Sequence, residues 1–215
     1  MQLIFKYDQG EDIKNYLILS KIENKGGRSE MLESFFNIYG DNLNEKNLRS
    51  FINSFIKEKG IDLKKEIKRI ENSWQKIQLE FQNKMNLFFS RDLSDKIITV
   101  YLTTNDRCLY SVEKNCFFVT ATTKNPKRII MHELVHFYTT YAFEKELPSI
   151  EDKKTAYAIK ESLTEILNLE FSHLLDGEEK GYLQHQEMRR LIRSEWQKEK
   201  NIEKLFKKLL ESPQL

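Results

Sequence analysis

The sequence predicts an α+β fold, mostly helical, with a small antiparallel sheet. Three observations lead there. Leu63, Ile67, Ile70, Trp74, Ile77, Phe81, Met85 and Phe88 recur at spacings of three and four, the period of one long helix running from Asp62 to about Phe89. From Ile98 to Ala121 the texture changes to short alternating runs rich in β-branched and aromatic residues, which read as strands. A further helical run begins at Asn125-Pro126, where asparagine supplies a cap and proline a preset first turn.

In chain order, Leu3-Ile4-Phe5 reads as a short strand, and Ile13, Tyr16 and Leu17 as one side of a helix. Gly26-Gly27 breaks the chain. Ser29 opens a helix carrying Met31, Leu32, Phe35, Phe36 and Tyr39, closed by Gly40. Leu48, Phe51, Ile52, Phe55 and Ile56 form another amphipathic face before Gly60. The strands Ile98–Leu102 and Cys116–Ala121 flank a turn at Glu113-Lys114-Asn115, as in a hairpin. Ser149 and Asp152 have capping-box spacing, and start a helix expected to run from Ile150 to Asp176, with Gly177 after its end. Glu178 to Gly181 is a turn. Met188, Leu191, Ile192 and Trp196 make one more helix, and Ile202, Leu205, Phe206, Leu209 and Leu210 the last.

The 215 residues include 40% hydrophobic and 12% aromatic side chains, enough for a real core. Thirty-five basic and 33 acidic residues leave a net charge of +2, which gives no electrostatic basis for nucleic acid as a partner. Met1–Tyr7 is too short and polar for a signal peptide, and no apolar run approaches the length of a membrane span, so a cytoplasmic protein without stable membrane insertion is expected. Cys108 and Cys116 then read as reduced thiols rather than a disulfide. The lysines of the last helix are expected in water, with its apolar side on the domain. Oligomeric state has no signature in the sequence.

The chemistry is concentrated in Arg128-Ile-Ile-Met-His-Glu-Leu-Val-His-Phe-Tyr138. His132 and His136 are four apart on a helix, so both imidazoles project from one face and fit two corners of a tetrahedral zinc site. Glu133 is turned aside from them, where it can reach a water held by the metal as a general base. A catalytic zinc keeps three protein ligands and one open position. A histidine extension of the metzincin kind is excluded by Thr139 and Ala142, and a deformylase-like site by Val135. Downstream, Glu161, Glu165 and Asn168 share one narrow helical face, with apolar residues broadly opposite. That face also reads as a solvated acidic stripe.

The motif His132-Glu133-Leu134-Val135-His136, followed after 25 residues by Glu161-Ser-Leu-Thr-Glu165, resembles the gluzincin class of zinc peptidases. The resemblance implies Glu161 as third ligand and Glu165 as the carboxylate that orients His132. It also implies a zincin-type active-site helix, a long helix backing the sheet, and a rim strand pairing with substrate, here Phe118, Val119, Thr120 and Ala121. The chain would then divide into an N-terminal helical region (1–60), a zincin-like core (61–177) and a C-terminal helical segment (178–215). The function implied is a zinc metallopeptidase acting on a peptide or protein, an endopeptidase in preference to an exopeptidase. Tyr157, Tyr182 and His185 are candidates to stabilise the oxyanion. Two alternatives stand beside this: an intracellular regulatory protease specific for one partner, and a non-catalytic helical interaction module.

Overall fold

The computed structural model describes residues 1–22 and 29–212, so the expected break at Gly26-Gly27 lies outside the described residues. The fold is α+β and mostly helical, around one small mixed sheet. Two compact units are distinguishable: Met1–Ser73 with Lys96–Pro126, and Trp74–Asp95 with Lys127–Leu215. These boundaries differ from the expected three-part division.

The first unit holds the sheet. Strand β1 (Gln2–Tyr7) leads into α1 (Gln9–Leu19), where Asp8 accepts hydrogen bonds from the N–H groups of Gly10 and Glu11. Helix α2 (Glu30–Tyr39) is capped by Ser29 and α3 (Glu45–Glu58) by Asn44, and α4 (Leu63–Gln75) follows. Next come β2 (Ile97–Thr103), the two-residue β3 (Tyr110–Ser111) and β4 (Cys116–Thr120). Tyr16, Phe35 and Phe51 pack edge-to-face at the centre of the helical layer. Below β2, the buried carboxylate of Asp12 accepts from Thr103 Oγ1 at 2.6 Å, Thr104 Oγ1 at 2.9 Å and Thr104 N–H at 3.1 Å, which pins α1 to the end of the strand. Burial nevertheless pushes Asp12 up to about 6 against those donors.

The sheet is mixed, not antiparallel. Its order is β1-β2-β4-β3; β1 and β4 each run parallel to β2, and only β3 is antiparallel, to β4. The turn before Asn115 is a genuine hairpin, but it joins β3 to β4 instead of β2 to β4. Alternating apolar residues mark a strand without telling its direction, and the helices between β1 and β2 supply the long connection that a parallel pair needs. Neither cysteine forms a disulfide.

The second unit is helical. Helix α5 (Gln78–Phe89) is separate from α4, so the expected single long helix is two. Ser73 Oγ donates to the Ile70 carbonyl, and Ile77 N–H bonds back only three residues to Trp74, which ends α4 without any proline or glycine. Helix α6 (Pro126–Ala142) carries the motif and is followed by the short α7 (Glu146–Ser149). The helix expected over 150–176 is also divided, into α8 (Lys153–Leu163) and α9 (Ile166–Glu170). Its cap is Asp152 alone, because the Ser149 hydroxyl turns back to the Glu146 carbonyl. A 3-10 turn (Leu183–His185), α10 (Gln186–Lys198) and α11 (Ile202–Glu211) complete the unit. Phe81 meets Trp74 and Phe171, Phe88 meets Trp196, and Phe143 stacks on Phe206 at 3.7 Å. On α11, Ile202, Leu205, Phe206 and Leu209 are buried, and Lys204, Lys207 and Lys208 face water. No helix among the described residues is long and apolar enough to cross a membrane.

Candidate metal centre

Helix α6 is apolar on most of its circumference. Ile130, Met131, Leu134, Val135, Phe137 and Tyr138 are all fully buried, and the Tyr138 hydroxyl donates to Asn86 Oδ1 at 2.6 Å. His132 and His136 therefore project into protein, with side-chain exposures of 19% and 1%. Their Nε2 atoms face each other at 3.1 Å. Glu161, near the end of α8, points into the same space: Oε2 lies 3.5 Å from His132 Nε2, and Oε1 lies 3.5 Å from His136 Nε2.

These donor atoms all lie within 4.8 Å of one another. A tetrahedral ion with ligands at 2.0–2.2 Å has donor–donor edges of about 3.3–3.6 Å, so a small divalent ion fits the triangle. One further feature favours a cation: Glu133 Oε2 and Glu161 Oε2 are buried carboxylate oxygens without a hydrogen-bond partner among the described residues. The residues fit zinc, whose ordinary ligands are imidazole nitrogen and carboxylate oxygen.

Electrostatics tie the group together. Burial alone would lower His132, but Glu161 and Glu179 beside it push it up to about 10. Burial and the charge of His132 together push His136 down to about 3. Glu133 is raised to about 8, first by burial, with His132 opposing and Glu161 and Glu179 adding. Burial works against the Glu161 carboxylate too, yet the two imidazoles hold it below its ordinary range.

The carboxylate at the far side of His132 is not Glu165. Glu179 Oε1 lies 3.5 Å from His132 Nδ1. Glu165, fully buried, instead pairs with Arg189 at 2.7 Å and with Arg193, and accepts from Asn168. The cause is local. After Leu163 the backbone tightens to bonds three residues apart: Glu165 N–H to Ser162, Leu167 to Thr164, Asn168 to Glu165. With the last two of the four steps at about 120°, Glu165 is rotated about 80° from Glu161, instead of about 40° in a continued α-helix.

The oxyanion candidates do gather. Tyr157 and Tyr182 pack edge-on against His185, with ring centroids at 5.9 and 5.7 Å. His185 is buried, and it is close enough to Glu161 for each charge to act on the other. Burial and Arg189 hold its pKa below the ordinary value against the pull of Glu161. The expected rim residues Phe118, Val119 and Thr120 lie in β4, with Ala121 just beyond, and belong to the first unit. β4 is an inner strand, and its Cys116–Phe118 backbone is already paired with Leu109–Ser111.

Glu179 and Arg189 carry weight that sequence reasoning missed. The available signal was Asn168, which shares the Glu161 face by spacing and in the fold holds Glu179 through two hydrogen bonds. No protein-family model, curated protein or solved structure matches this chain.

Proposed function

We propose that this chain is a zinc-dependent peptidase in which His132, His136 and Glu161 hold the ion and Glu133 is the general base. The observation that supports it most is the convergence of those three donors beside the unpartnered Glu133 Oε2, all from a sequence with the HExxH pattern. Bound there, Zn²⁺ would polarise the scissile carbonyl and lower the pKa of water to about 7. Glu133 would take a proton from the attacking water on Oε2 and return it to the amine nitrogen as the C–N bond breaks. His185, kept neutral with a buried Nδ1 that lacks a partner among the described residues, would on this reading donate to the developing oxyanion. Peptides or proteins are the substrates on this reading.

Substitution separates base from ligand. Glu133→Gln should keep zinc and the fold while peptide hydrolysis falls about 10²–10⁴-fold, because an amide cannot accept the proton. Glu161→Ala should lose zinc. Hydrolysis by Glu133→Gln at the wild-type rate would sink the mechanism.

A further inference from the structure

Glu179 reaches His132 because its backbone is held on both sides. Asn168 Oδ1 accepts from the Glu179 N–H at 2.8 Å, and Asn168 Nδ2 donates to the Glu179 carbonyl at 2.8 Å. The guanidinium of Arg189 donates to that same carbonyl, to Thr164 Oγ1 at 2.8 Å, and pairs with Glu165. Thr164 in turn donates to the Glu161 carbonyl at 2.6 Å. One guanidinium thus joins the turn after the third ligand to the loop that presents Glu179. At 1% exposure Arg189 is deep for an arginine, a residue rarely buried without paired charge. Gly181 lies against it with φ +61°; a Cβ there would stand 2.7 Å from Nη1, 2.8 Å from Cζ and 2.9 Å from Nε. Gly177, also at positive φ, has nothing within 4 Å of such a Cβ.

We propose that Arg189 is a positioning residue of the metal centre, acting through Glu179 on His132, and that Gly181 is required for the loop to close over the guanidinium. The inference rests on the reading of His132, His136 and Glu161 as metal ligands. A carboxylate on the outer nitrogen of a ligand imidazole fixes the ring's orientation and raises its basicity. Without Arg189 the loop keeps its two bonds to Asn168 but loses its link to the Thr164 turn, so Glu179 is held less closely in place.

The test uses the full chain and Co²⁺ as probe, read by competition against a chelator and by the visible spectrum, which reports ligand geometry. Glu179→Gln and Arg189→Gln should each weaken Co²⁺ binding about 10–100-fold and alter the spectrum. The double variant should lose little beyond the weaker single one, since both act on one path. Gly181→Ala should weaken binding while Gly60→Ala, at nearly the same φ of +60° but with nothing within 4 Å of the added Cβ, leaves it unchanged; this pair decides the matter even if Arg189→Gln fails to fold. Folded Gly181→Ala or Arg189→Gln protein with wild-type affinity and spectrum would overturn the proposal, as would fully additive losses in the double variant. Wild-type protein that binds no Co²⁺ would remove the metal reading and this inference with it; wild-type binding with unaffected variants would remove this inference alone.

Discussion

At His132, two carboxylates converge on one imidazole from opposite ring nitrogens. In the metal-free chain they keep it protonated, with the pKa pushed up to about 10. A metal binds the neutral ring, so binding must expel that proton. The sign follows directly. Between neutral pH and about 10, zinc affinity should rise with pH by about tenfold per unit, one proton being released per ion bound. Chelator competition at a series of pH values measures the slope; an affinity that is flat with pH would show that the two carboxylates do not hold His132 protonated in the metal-free chain. The histidine pair and Glu133 were legible in the sequence because their spacing survives on any regular helix. Glu161 was legible for the same reason, since α8 is still regular where Glu161 sits. Glu179 was not, because its approach depends on a loop held by Asn168 and Arg189 instead of on any period.

Among the elements, α8 matters most, since it carries Glu161 to α6. Its N-terminus is held by Asp152, which accepts from the N–H groups of Lys154 and Thr155 at 3.0 and 3.1 Å. Asp152→Ala should destabilise the protein by about 1 kcal/mol in denaturant unfolding. Because the cap lies about two and a half turns from Glu161, zinc affinity should be unchanged; a large loss of zinc would mean that α8 is less rigid than its packing implies. Helix positions and the amphipathic stripe of 63–88 were predictable from apolar spacing. The breaks at Lys76-Ile77 and at Thr164-Glu165 were not, since neither holds proline or glycine. At each, a side-chain hydroxyl bonds back to a carbonyl three residues earlier, Ser73 to Ile70 and Thr164 to Glu161. The parallel course of β2 and β4 was equally hidden, because the β3 hairpin occupies the turn that a β2–β4 hairpin would have used.

For the whole chain, the two compact units differ in what reports on them. The sequence has two tryptophans, Trp74 and Trp196, and both are buried in the unit that carries the metal ligands. Tryptophan fluorescence therefore follows that unit's unfolding. Zinc at a hundred times its Kd should stabilise the fluorescence transition by about 2.7 kcal/mol, and the gain should vanish in His136→Ala. Equal shifts in wild type and His136→Ala would place the zinc elsewhere. The central claim is that His132, His136 and Glu161 form one metal site, and metal analysis of the purified chain after dialysis against buffered zinc tests it most directly. The expected result is close to one zinc per chain in the wild type and in Glu133→Gln, and almost none in His136→Ala or Glu161→Ala. A wild-type protein that emerges metal-free would contradict it.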